Sequence, residues 1–154
     1  MEKGPSKFSL LIIIGFFASA VFMFFWQFHW SKATIGLSNQ TLEVLVAKTP
    51  SQWHKGVGGK ESLEPYDGML FIFGESSRQT MVMRDTLFPL DIVWLEKGVV
   101  VDMAPNVPTE IGKAEAELRR YHPRSPGNMV LELPAGWIDT YGLKIGDKMV
   151  VIDE

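Results

Sequence analysis

The sequence predicts a mainly β fold: a compact β-sandwich or barrel-like domain with two short helices, behind one N-terminal transmembrane helix. Three observations predict it. Residues Phe8 to Trp26 carry no charge, which suits a span of roughly 28 Å through a bilayer. From Thr41 onward, short apolar runs alternate in the two-residue rhythm of half-buried strands. Gly, Pro and Asp punctuate those runs at turn spacing.

The anchor is expected over about residues 8–26, within an N-terminal segment 1–32, and the domain over 33–154. Lys3, Lys7 and the α-amino group precede the apolar run, and Lys32 alone follows closely. This asymmetry keeps the N-terminus cytoplasmic and places the domain outside, periplasmic or extracellular. Trp26, His29 and Trp30 would sit at the outer interface. Ala18-Ser19-Ala20 resembles a signal-peptide cleavage site, but the chain stays apolar through Trp26, which favours an uncleaved anchor.

Leu42, Val44 and Val46 share one face of a first strand. Thr49 caps a short helix with Pro50 at its first position, and Gly56 ends it. Asp67-Gly68 turns into Met69–Phe73. Further strands are expected over Gln79–Arg84, Leu90–Leu95, Val99–Met103, Met129–Leu133 and Met149–Ile152. Ile111, Ala114 and Leu118 have helical spacing inside the proline-bounded 104–127 segment. Trp137–Tyr141 reads as a helical turn closed by Gly142.

There is no cysteine, so disulfides and thiolate chemistry are excluded. From Ala33 onward 12 Lys/Arg face 17 Asp/Glu, a net charge of −5, which argues against a nucleic-acid partner. His29, His54 and His122 are scattered, so no metal site is expected and no motif implies a cofactor. No Gly-x-Ser-x-Gly elbow is present.

Two carboxylates interrupt apolar strands. Asp91 lies between Leu90 and Ile92, and needs water or a hydrogen-bonded partner; Arg84, at the polar corner Arg84-Asp85-Thr86, is the nearest one in sequence. Glu132 lies between Leu131 and Leu133. Each has a bland reading, as a brace of the Arg84–Thr86 turn for Asp91 and a solvent-facing side chain for Glu132. If the two converge, they could share a proton, hold a cation or bind hydroxyl groups. Arg84, Asp85, Thr86, Asp91 and Glu132 are therefore the candidate ligand-binding residues. Arg119–Arg124 is a basic cluster that could grip a phosphate or carboxylate; its bland reading is a solvated loop balancing Glu110, Glu115 and Glu117.

Gly68–Phe73, Met83–Ile92, Val130–Gly136 and Gly142–Asp147, with Thr49-Pro50 and Lys55-Gly56, resemble the ordered signatures of domain of unknown function 192. The resemblance covers roughly Thr34 to Ile152. It implies a compact β domain, often exported behind a signal or anchor, and no established reaction or ligand. Val82 stands where that family has an aromatic residue, and the 104–127 segment is longer. The functions expected are binding of a small polar ligand or envelope component, acid/base hydrolysis or elimination by Asp91 and Glu132, or docking on another envelope protein.

Overall fold

A computed structural model describes residues 7–26 and 30–153. Helix α1 (Lys7–Trp26) leads to β1 (Ser31–Leu37), β2 (Gln40–Ala47), α2 (Pro50–Lys55), β3 (Gly68–Ser77), β4 (Leu90–Glu96), β5 (Val99–Val107), β6 (Gly127–Pro134), α3 (Trp137–Tyr141) and β7 (Val150–Asp153). The described side chains of α1 run from Leu10 to Met23 and are exposed, about 21 Å of rise. Among the described residues no helix is long and apolar enough to cross a membrane. His29 and the side chain of Trp26 lie outside the described residues. Trp30 packs against an apolar cluster of the domain.

The seven strands form one sheet in the order β5-β4-β6-β3-β2-β1-β7. All neighbours are antiparallel except β2 and β3; a parallel pair needs a crossover, and α2 lies within it. The sheet curls until its ends meet. Val99 bridges Lys148, and Val100 N–H donates to the Asp147 carbonyl at 2.9 Å. The barrel-like expectation therefore fits better than a sandwich of two sheets.

Because successive strand side chains alternate in direction, the curled sheet carries two apolar clusters. One face gathers Ile35, Val44, Leu70, Val93, Leu131 and Leu133, closed by Trp137 and Ile138 of α3. The other gathers Met69, Phe71, Met83, Ile92, Trp94 and Val130 under the long connections. Gly68 belongs where β3 meets β6: a Cβ there would stand 2.7 Å from the Glu132 carbonyl oxygen.

Thr49 caps α2 as expected, and Gln52 completes a reciprocal capping box. Thr49 Oγ1 accepts the Gln52 N–H, Gln52 Oε1 accepts the Thr49 N–H at 3.1 Å, and Pro50 follows the cap. Two expectations need correction. Gln79–Arg84 is no strand; it makes a single bridge, Met81 to Tyr121, because Met81 and Met83 are drawn into the apolar cluster while the chain turns at Arg84-Asp85. The helix over Ile111–Leu118 shrinks to one 3-10 turn, Glu115–Glu117. Gly112 has positive φ, and Glu110 binds the Arg119 N–H at 2.9 Å, so side chains hold this loop in place of helical hydrogen bonds.

Candidate functional site

The β4–β6 register decides where the two strand carboxylates go. Asp91 pairs with Leu133 and Ile92 with Glu132. Asp91 therefore leaves the sheet with Val93 and Leu133, and Glu132 leaves it with Ile92 and Val130. Asp91 and Glu132 do not converge: the two carboxyl groups lie on opposite faces of the sheet.

Asp91 is fully buried. Its Oδ1 accepts the Asn106 N–H at 2.7 Å and its Oδ2 accepts the Ile138 N–H at 2.8 Å. Ile138 lies in the first turn of α3, whose N-cap is Gly136 and offers no side-chain oxygen. Asp91 supplies that missing acceptor from across the fold. Asn106 is held at positive φ, so the other oxygen secures an irregular end of β5. Asp91 therefore braces the β5 end and α3, not the Arg84–Thr86 turn, and Arg84 is not its partner. The nearest cation in sequence lies beyond the opposite face, and two backbone amides satisfy the carboxylate.

Glu132 is 4% exposed, and its Oε2 is buried without a hydrogen-bond partner. Burial pushes its carboxyl up to about 8, since removal from water penalises the charged form. It belongs to a cleft of about 50 Å³, walled by Trp53, Val57, Phe71, Met81, Arg84 and Thr86. The solvent-facing reading of Glu132 therefore fails, since α2 and its exit cover this part of the sheet.

The corner builds the other wall. Arg84 holds Glu115 through Nε and Nη2, both at 2.7 Å, and donates from Nη1 to the His54 carbonyl at 2.9 Å. The Glu115 hydrogen bond raises the Arg84 pKa, and the same bond lowers that of Glu115. Asp85, at positive φ, is exposed and acts through its backbone, accepting the Gly59 N–H at 2.8 Å. Thr86 is buried and donates to the Arg84 carbonyl at 3.2 Å. Together these bonds tie the α2 exit to the corner, over Glu132. Arg84, Thr86 and Glu132 thus share one cleft, Asp85 braces its edge, and Asp91 is elsewhere.

Trp53 and Val57 escaped the sequence reading as site residues. The signal was local: a well-capped helix bearing one aromatic side chain. Trp53 donates from Nε1 to the Ala47 carbonyl at 3.1 Å and packs its ring 4.9 Å from that of Phe73. Asp102 was missed as well. It is buried and accepts from the backbone N–H and guanidinium of Arg124. Burial opposes its ionisation, but the Arg124 hydrogen bonds outweigh it and hold the carboxyl below the usual range. The Arg119–Arg124 cluster is accordingly part of the scaffold at Arg124, while Arg119 lies over the Tyr121 ring at 5.0 Å.

A larger groove, about 650 Å³, runs between the β1–β2 turn and the α3–β7 segment. Its lining contains no buried ionisable side chain, and the chemistry therefore centres on the smaller cleft. Among the described residues no three His, Asp or Glu side chains gather as a metal site would require.

Residues 32–151 match the family model DUF192, described as an uncharacterized ACR. A solved structure from Sinorhizobium meliloti 1021, described as a candidate transcription regulator, is 30% identical, with TM-score 0.70, over 79% of this chain and 95% of that one. A protein of unknown function from Novosphingobium aromaticivorans DSM 12444 is 26% identical, with TM-score 0.67, over 79% and 84%. No curated protein matches significantly. With the matched residues spanning nearly the whole β domain, the chain belongs to the DUF192 family.

Proposed function

We propose that this chain is a membrane-anchored extracytoplasmic binding module, whose cleft over Glu132 takes a small polar ligand or one polar group of an envelope component. A single observation carries the binding reading: a buried carboxyl with an unpartnered oxygen at a solvent-connected cleft. A fold gains nothing from such a group, and an unsatisfied buried carboxyl costs stability. A ligand donor would remove that cost.

The anchor reading rests on the uncharged Phe8–Trp26 run, its lysine asymmetry and the exposed apolar side chains of α1, such as Leu11 and Phe16. The acid/base reading loses its geometric basis, because Asp91 and Glu132 face opposite ways. Regulation of transcription is said of the Sinorhizobium protein; the net charge of −5 beyond Ala33 argues against a nucleic-acid partner here. A docking role draws support from one place, the exposed Val150-Val151-Ile152 run of β7.

The test is a thermal-shift screen of the full chain in detergent against sugars, amines, nucleotides and metal salts. The expected result is a stabilising ligand whose effect disappears in Glu132→Gln. A screen with no Glu132-dependent shift would refute the binding reading.

A further inference from the structure

We infer that the ligand group entering the Glu132 cleft is a primary ammonium. This rests on the reading of the cleft as a binding site and names its chemistry. The size comes first. A cavity of about 50 Å³ holds a few waters at most, so a sugar ring or a nucleobase is excluded and only a terminal group can enter. The wall comes second. Trp53 and Phe71 present aromatic surface, and Val57 and Met81 present apolar surface, a setting that favours a cation over a neutral donor beside an acid. The floor comes third. Oε2 of Glu132 has no partner, and a three-donor ammonium is the compact group that supplies both charge and hydrogen bonds.

The cations near the mouth do not fill this role. Arg84 is committed to Glu115 and the His54 carbonyl, and burial raises the Glu132 carboxyl. Lys55 lies at the exposed rim, where solvent screens it. The other titratable groups around the cleft are His54 on α2 and Asp85 at the corner. From the sheet, Met69, Phe71 and Ile92 share the face of Glu132 and carry no charge.

Ion pairing requires the carboxylate form, and burial raises this carboxyl to about 8. Ammonium binding at neutral pH therefore expels the Glu132 proton to solvent. Affinity should weaken about tenfold for each pH unit below 8, and this slope should persist in a His54→Asn background, which removes the imidazole from the mouth.

The experiment measures the unfolding midpoint of the full chain with methylammonium chloride, against potassium chloride and ethanol at equal concentration. The expected result is a concentration-dependent rise with methylammonium alone, lost in Glu132→Gln and weaker at pH 6.5 than at pH 7.5. No rise beyond that of potassium chloride overturns the inference, as does a rise that survives in Glu132→Gln. If ethanol gives a Glu132-dependent rise and methylammonium does not, the ammonium assignment falls while the binding reading stands. If neither does and the wider screen is blank, both fall.

Discussion

Asp91 and Glu132 sit one position out of step on paired strands, Asp91 opposite Leu133 and Glu132 opposite Ile92, and so point to opposite faces of the sheet. One register separates their roles. Asp91 has its oxygens occupied by the Asn106 and Ile138 amides. Glu132 retains an oxygen with no partner. The first is a brace, and the second is a group waiting for a donor.

Asp91→Asn should destabilise the fold by about 2–4 kcal/mol. The amide can accept one of the two N–H groups, but its NH₂ then faces the other donor. Urea unfolding measures the loss; a midpoint equal to the parent's would refute the brace.

Glu132→Gln should act in the opposite sense near pH 8. The unfolded carboxyl releases its proton near 4.5 and the folded one near 8, so the folded state binds more protons between those values. Parent stability should fall as pH rises across that window, by a total on the order of 5 kcal/mol, and level off above it. Glutamine does not titrate, so the variant's profile should lack this decline and exceed the parent's at pH 8. Urea titrations at pH 5, 6.5 and 8 check this; parallel profiles for the two proteins would contradict it.

Asp102 should contribute to acid lability. Its folded pKa is depressed, so its stabilisation is full above the unfolded value and lost as pH falls through the folded one. Asp102→Asn should flatten the acid limb of stability below about pH 4 and leave the Glu132-dependent decline unchanged.

The Arg84 latch should show in dynamics more than in global stability. Arg84 and Glu115 are partly exposed, with side-chain exposures of 27% and 53%, so solvent screening should leave global stability nearly unchanged in Glu115→Gln. Arg84→Ala also frees the His54 carbonyl, and amide exchange at Gly59, which donates to Asp85, should accelerate before the sheet amides do.

The anchor is checked by fractionation and a C-terminal reporter. Sedimentation with membranes and a reporter active outside are expected; activity confined to the cytoplasm would exclude the proposed topology.

By itself the sequence determined the β class and most strand positions, because two-residue alternation and Gly/Pro punctuation are local properties of the chain. The Thr49 cap of α2 and the Gly142 stop of α3 are equally local, and both appear as expected. It also marked Asp91 and Glu132 as the carboxylates that need explanation, since a charge among apolar neighbours is visible in one dimension. Where those charges point was not legible. That depends on strand register, which a single sequence leaves open because a slip of one residue exchanges the faces. The partner of Asp91 comes from α3, 47 positions away, and the cover over Glu132 comes from α2 and the Arg84 corner. Only the tertiary structure decided these, because burial and hydrogen bonding of a strand side chain are set by whatever packs on its face, and that neighbour is distant in sequence.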